Sequence, residues 1–163
     1  MLTNDSFLDV IRDSFEAYLE RNSSRSNAKL KHLHGGIADD LRERFLMDPL
    51  SQALSVYAQD LDNGTEHSIE GRYYPKKVDI TVSDKDGRAI AGYAVKFIMR
   101  NYSQNGNNYF ENMLGETANI RSNRIPYFQI FIIFEKVPYF EKNGKLKKYE
   151  QITTHNLEKY LIL

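Results

Sequence analysis

Residues 78–99, VDITVSDKDGRAIAGYAVKFIM, contain two apolar runs on either side of a turn-forming dipeptide. The first run alternates apolar and polar residues, which is the spacing of a β-strand. Asp86-Gly87 supplies the chemistry of a hairpin turn, and a denser apolar run extends from 89 to 99. The stretch therefore predicts an antiparallel hairpin with a largely buried second strand.

The register of this hairpin places two charged residues together. If Asp86 and Gly87 are the central turn residues, Asp79 falls opposite Ala94, and Lys96 lies diagonally on the same face. A lysine is almost never fully buried without a partner, so Lys96, with apolar neighbours, lies at an edge or meets an anionic group. A plain cross-strand ion pair with Asp79 is the structural alternative.

The chain upstream of the hairpin has helical periodicity. Apolar residues recur at helical spacing over 6–20 and again over 37–58, where Pro49 kinks or restarts the helix. The segment 22–27 is rich in Ser, Asn and Arg and is expected to form a loop, and 60–66 is polar and turn-rich. Gly35 and Gly36 precede the second predicted helix.

The chain downstream of the hairpin alternates between loop, helix and strand signals. A polar loop is predicted at 101–108, a helix at 109–121, a buried strand at 127–134, a second hairpin at Asn143-Gly144, and a last helix from Thr153 or Thr154 to Leu163. The predicted class is α/β, as one domain over 1–163 with a central mixed sheet flanked by helices.

Composition narrows the class of protein. The net charge is zero and the pI is near 6.9, which excludes a strongly basic nucleic-acid-binding surface over the whole chain. The chain contains no cysteine, so disulfides and thiolate metal sites are excluded. The N-terminus does not have the pattern of a signal peptide, and no apolar run reaches membrane-spanning length. A cytoplasmic protein without a membrane partner is expected.

The predicted helix at 109–121 has an unusual polar face. Its apolar face consists of Phe110, Met113, Leu114, Thr117 and Ile120. The opposite face carries Asn108, Glu111, Asn112, Gly115, Glu116 and Asn119. Asparagine and glycine are poor helix formers, whereas an ordinary solvated face prefers Lys, Glu, Gln and Arg. The face indicates either a short frayed helix or the lining of a polar site.

The strand acid, the strand lysine and the helix and buried strand that follow resemble the PD-(D/E)xK nucleases, the superfamily with the restriction-endonuclease-like fold. In that superfamily an Asp lies on one strand of a hairpin and Glu-x-Lys lies on the next. Here Val78-Asp79-Ile80 resembles the Asp strand and Ala94-Val95-Lys96 the Glu-x-Lys strand. The resemblance covers about 72–134, with N-terminal helices within 6–58 and a hairpin and helix at 135–163.

The sequence departs from the family motif at Ala94, where the second carboxylate is expected. Some members of the superfamily carry that carboxylate on the following helix, which here makes Glu111 the first choice and Glu116 the second. The resemblance implies that Asp79 and Glu111 hold Mg²⁺ or Mn²⁺, cations that suit carboxylate oxygens. It implies that Lys96 orients the attacking water or neutralises developing charge.

Several other residues give weaker signals that also have simpler structural interpretations. An acid of the opening helix can complete the site in the superfamily, which draws attention to Asp40 and Glu43, although a solvated helix carboxylate is the simpler interpretation. His32 and His34 have no third ligand at zinc-like spacing, so surface or capping roles are favoured. The lysines around Asn143-Gly144, at 142, 145, 147 and 148, predict a solvated turn or contacts to DNA phosphates.

The resemblance implies a metal-dependent DNA endonuclease, of the restriction or phage-defence kind, acting on double-stranded DNA. Cutting both strands needs two active sites or two cutting events, and a two-fold homodimer is the common solution, so a homodimer is expected. The alternative is a catalytically silent domain of the same fold that binds nucleic acid or a protein partner, an interpretation that Ala94 favours.

Overall fold

The computed structural model describes residues 1–21 and 27–162 and has a mixed α+β architecture. Its helices are α1 (Asn4–Arg21), α2 (Lys31–Met47), α3 (Tyr102–Arg121) and α4 (Thr154–Ile162), with a 3-10 turn at Asn27–Leu30. Its strands are β1 (Ser55–Ala58), β2 (His67–Glu70), β3 (Pro75–Val78), β4 (Ile80–Ser83), β5 (Ala89–Ile98), β6 (Tyr127–Ile133), β7 (Lys136–Phe140) and β8 (Leu146–Gln151). The predicted loop at 22–27 falls mainly on residues outside those described, as does Leu163.

A four-stranded mixed sheet forms the centre, in the order β1-β4-β5-β6. The first three strands pair antiparallel, while β6 runs parallel to β5 after the crossover through α3. Two separate hairpins, β2-β3 and β7-β8, flank this sheet. The predicted mixed sheet flanked by helices is therefore confirmed.

Apolar residues cover both faces of the sheet. Val95 and Phe97 pack with Leu33 of α2 in one buried cluster, whereas Ala94 packs with Ile120 of α3 in another. Because neighbouring residues of a strand point to opposite faces, α1 and α2 lie on one face and α3 lies on the other. None of the helices within the described ranges is long and apolar enough to cross a membrane.

The turn between β4 and β5 differs from the predicted two-residue turn, yet the register survives. Asp84 pairs with Arg88 around Gly87, whose φ of 77° lies in the left-handed region that favours glycine. A shift in pairing near Ser83 then compensates for the longer turn, so Val82 lies opposite Ala91 and Ile80 opposite Tyr93. The pairing ends at Ile80, and Asp79 before it contacts β5 through a hydrogen bond from the Val95 N–H to its carboxylate.

The helix predicted at 37–58 is wrong at both ends. It begins at Lys31 and ends at Met47, and 55–58 form β1 instead. Asp48, which precedes Pro49, has an extended backbone with φ −104° and ψ 113°, as expected because proline disfavours helix in the residue before it. Gly35 lies inside the helix. Glycine suits this position because a Cβ there would come within 3.1 Å of Asp60 Cβ.

The predicted loop at 101–108 is also wrong, because α3 begins at Tyr102. Its polar first turns are stabilised by tertiary contacts that outweigh weak helix propensity. Tyr102 is buried and donates a hydrogen bond of 2.9 Å to the carbonyl of Asn156. The carbonyl of Gly106 accepts one of 2.9 Å from the Tyr160 hydroxyl. The C-terminal segment therefore holds the start of α3.

Candidate metal centre

Asp79 lies at a bend between β3 and β4, where its carboxylate turns toward neighbouring backbone. Its Oδ2 accepts a hydrogen bond of 2.7 Å from the backbone N–H of Val95. Asp79 and Lys96 both line one open cleft of about 450 Å³. Asp79 and Lys96, the two residues on which the sequence interpretation rests, thus line the same cleft, although Asp79 lies just outside the strand.

The β2-β3 hairpin places a second carboxylate beside Asp79. His67 at the start of β2 pairs with Val78 at the end of β3, so Glu66 and Asp79 are the next residues in the same register. No local pattern predicts this hairpin, because 60–66 carries only turn signals and β2 is four residues long. Glu66 was therefore missed, and an acid just before His67 gives no local signal of its own.

His34 on α2 completes a group of three metal-binding residue types. One ligand atom each from His34, Glu66 and Asp79 lies within 4.8 Å of the others, close enough to share one cation. His34 is only 1% exposed, since it lies on the stripe of α2 that packs on the sheet. The position of His34 next to the apolar Leu33 was the available signal that it is buried. The spacing of His32 and His34, without a third zinc ligand, favoured a surface role instead.

Two of the three side chains have buried polar atoms without partners. Both ring nitrogens of His34 and Oε1 of Glu66 make no hydrogen bond within the described residues. A buried polar group without a partner costs about 1–3 kcal/mol, and most such groups in native proteins are satisfied. A metal cation could accept the lone pairs of Glu66 Oε1 and of one His34 ring nitrogen, while the other ring nitrogen of the neutral imidazole carries the proton.

The electrostatics of the group favour cation binding. Burial lowers the pKa of His34, an effect that the charge of Asp79 only partly offsets, so the imidazole is neutral at pH 7 and can donate a lone pair. Burial, followed by the negative charge of Asp79, raises the pKa of Glu66 against opposing effects of Lys77 and Lys76. A divalent cation would relieve this repulsion between the two carboxylates.

The donor set bears on which metal fits. Carboxylate oxygens suit Mg²⁺ and Mn²⁺, whereas imidazole nitrogen suits first-row transition metals such as iron and zinc. Mn²⁺ is the cation of the carboxylate group that is itself a transition metal, so one histidine with two carboxylates fits Mn²⁺ better than Mg²⁺.

The two helix glutamates predicted as ligands occupy different surroundings. Glu111 is exposed and does not line the cleft. Glu116 lines the cleft, but its carboxylate forms an ion pair of 2.6 Å with Lys76 and accepts a hydrogen bond of 3.2 Å from the Tyr127 hydroxyl. Neither belongs to the group around Asp79, and Ala94 is buried against apolar neighbours.

The acids of the opening helix are engaged elsewhere. Asp40 accepts hydrogen bonds from the Leu2 backbone and from Arg44, while Glu43 pairs with the N-terminal ammonium. Asn119, predicted on the polar face of α3, is buried and holds the backbone of the segment before β3. The lysines of the β7-β8 turn, at 142, 145, 147 and 148, are exposed.

Cations from separate elements surround the cleft. Its lining includes Lys29, Lys76, Lys77, Lys96 and Arg100, against the acids Asp79 and Glu116. Lys96 Nζ lies 4.8 Å from the centroid of the Tyr109 ring, a cation–π contact that orients the ammonium. The positive charge is therefore concentrated beside the metal-binding group although the chain as a whole is neutral.

No known family model, curated protein or solved structure matches this chain.

Proposed function

We propose that the chain is a metal-dependent nuclease that hydrolyses phosphodiester bonds of DNA. The observation that carries the proposal is the group formed by His34, Glu66 and Asp79, with its unsatisfied buried atoms, of which Asp79 also lines the cationic cleft that contains Lys96. Such a cleft suits a polyanionic backbone. The order of hairpin, helix and parallel strand further supports the resemblance to the PD-(D/E)xK superfamily.

The ligands differ from those the family motif implies. In this proposal His34 and Glu66 take the places that the motif fills from the Glu-x-Lys strand, where Ala94 stands here. The bound cation would supply positive charge that lowers the pKa of a coordinated water and offsets charge on the phosphate. Because of the histidine, we propose Mn²⁺ as the first cation to test, with Mg²⁺ beside it.

Residues of the cleft would stabilise charge on the phosphate and bind the DNA backbone. Hydrolysis forms a bond from the water oxygen to phosphorus and breaks the bond from phosphorus to the leaving sugar oxygen, which then takes up a proton. Lys96, oriented by Tyr109, would place an ammonium against the charge that develops on the phosphate. Lys76, Lys77 and Arg100 would hold the strand through its phosphates.

The function is tested by incubating the protein with supercoiled, linear duplex and single-stranded DNA in Mn²⁺, in Mg²⁺ and in EDTA. We expect cleavage with Mn²⁺, weaker cleavage with Mg²⁺ and none in EDTA. If no divalent cation supports cleavage of any of these substrates, the proposal is wrong and the catalytically silent, nucleic-acid-binding domain takes its place. Sedimentation on DNA tests the homodimer that duplex cutting would call for.

Lys96→Met is expected to reduce the cleavage rate by about 10²–10³-fold, the typical cost of removing one group that stabilises developing charge. Methionine retains much of the stem, so Mn²⁺ affinity should remain unchanged. Lys77→Met is the matched control, because Lys77 lines the same cleft but is exposed. It should weaken DNA binding and reduce its salt dependence with little effect on the maximal rate. Equal maximal rates for Lys96→Met and wild type would remove Lys96 from the mechanism.

A further inference from the structure

Two tyrosines on the segment between β2 and β3 are unusually exposed. Tyr73 is 74% exposed and Tyr74 is 50% exposed. The segment leads directly into Lys76 and Lys77, which line the cleft. The two exposed rings are adjacent in the chain and lie next to residues of a cationic cleft, and contiguous exposed apolar surface of this kind is where partners commonly bind.

The backbone that carries these rings is held firmly by a buried side chain. Asn119 of α3 is 1% exposed. Its Oδ1 accepts a hydrogen bond of 2.9 Å from the Tyr73 N–H, and its Nδ2 donates one of 3.0 Å to the Tyr74 carbonyl. The Arg72 N–H also donates one of 2.8 Å to the Asn119 carbonyl. Buried Asn119 thus holds the backbone that carries the two exposed tyrosines.

Gly71 shows how closely this segment approaches α3. A Cβ at position 71 would lie 2.2 Å from Asn119 Nδ2, so no other residue fits without movement. The Asn123 side chain donates a further hydrogen bond of 2.6 Å to the Glu70 carbonyl. Rings on a fixed backbone bind a partner at a lower cost in conformational entropy than rings on a flexible loop.

Tyr73 and Tyr74 precede Lys76 and Lys77 by three residues each, and both lysines line the cleft. A strand whose phosphates follow Lys76 and Lys77 would therefore present its bases beside the two tyrosines. Aromatic faces combined with a cationic groove are the common features of single-strand recognition.

We propose that Tyr73 and Tyr74 form a stacking surface for unpaired bases, so that the cleft takes DNA that is single-stranded next to the phosphate it binds. The inference rests on the proposed function in taking DNA as the ligand. It departs from the fully paired duplex that the resemblance implies, because bases in a duplex are stacked on both faces and offer none to a tyrosine ring.

The test measures binding without cleavage, by fluorescence anisotropy in EDTA with a labelled oligonucleotide and its duplex. Wild type should prefer the single strand. Tyr73→Ala and Tyr74→Ala should each weaken single-strand binding about 5- to 150-fold, as loss of one stacked base does. Tyr73→Phe and Tyr74→Phe, which keep the ring, should bind as wild type does. The salt dependence should stay unchanged in the alanine variants, because no phosphate contact is lost.

The same measurement separates this inference from the proposed function. If both alanine variants bind the single strand as wild type does, or if wild type prefers the duplex or binds neither, the stacking surface is wrong even when cleavage is observed. If stacking is lost as expected while wild type cleaves nothing with any cation, the surface stands and the nuclease proposal fails. Far-ultraviolet circular dichroism of each variant should match wild type.

Discussion

Asp79→Asn is expected to abolish Mn²⁺-dependent cleavage and to weaken Mn²⁺ binding strongly. Loss of a residue that only supports a metal ligand weakens metal binding about 10–100-fold, and loss of a ligand itself should cost more. Asparagine has nearly the same shape and can still accept the hydrogen bond that Asp79 accepts from Val95 N–H. It lacks the negative charge that a divalent cation needs from its ligands. The loss should appear both in cleavage assays and in calorimetric titration with Mn²⁺.

Glu111→Gln is the matched control for this experiment. Glu111 is the helix carboxylate that the family resemblance implies as the second ligand, but it is exposed and does not line the cleft. We expect it to cleave and to bind Mn²⁺ as wild type does. If Glu111→Gln loses both properties while Asp79→Asn keeps them, the second carboxylate is on the helix, and the group around His34 is not the metal site.

His34→Leu is expected to have opposite effects on stability with and without metal. In EDTA the variant should be more stable than wild type. In wild type the two buried ring nitrogens without partners destabilise the fold by about 1–3 kcal/mol, and leucine removes them. In excess Mn²⁺ wild type should gain about 2.7 kcal/mol when the cation is at 100 times its Kd. The variant should gain little. Urea denaturation in both conditions measures the change.

His32→Leu provides the comparison for that reversal, since His32 is only partly buried and lies outside the group of three. Its free energy of unfolding should rise with Mn²⁺ as that of wild type does. A His34→Leu variant that is destabilised in EDTA would mean that the imidazole contributes to packing or to hydrogen bonding in the metal-free protein. A variant that still gains full stability from Mn²⁺ would remove His34 from the site.

The sequence predicted the hairpin around Asp79 and Lys96 because alternation and turn chemistry are local signals. Even there the turn was one residue longer than expected, and the shift near Ser83 restored the register. The strand β6 and the hairpin at Asn143-Gly144 were predicted for the same reason, with β6 ending at Ile133. Short-range sequence pattern was enough to predict these strands and hairpins, because their main contacts are with residues nearby in the sequence.

Tertiary contacts decided the elements that the sequence missed. The first turns of α3 are polar, and only their packing against Asn156 and Tyr160 makes them helical. The predicted helix continued through Pro49 because apolar spacing in 50–58 did not distinguish a short strand from a helix. These errors share one cause, which is that propensity is weak compared with packing.

The candidate metal centre depends on residues that no local pattern joins. His34 lies on α2, Glu66 precedes β2 and Asp79 follows β3, and they meet only through the pairing of β2 with β3 and the packing of α2. The cations of the cleft likewise come from separate elements. Sequence pattern drew attention to Asp79 and Lys96 and proposed Glu111 as the second ligand, whereas Glu66 is the carboxylate that the structure places beside Asp79.

The central claim is that His34, Glu66 and Asp79 hold one divalent cation, and pulsed electron paramagnetic resonance of the Mn²⁺-loaded protein tests it most directly. The unpaired electrons of Mn²⁺ couple to a nitrogen nucleus that is bound to the metal. We predict one bound Mn²⁺ with an imidazole nitrogen coupling that His32→Leu retains and His34→Leu loses. A bound Mn²⁺ whose nitrogen coupling persists in His34→Leu, or that shows none in wild type, would contradict the claim.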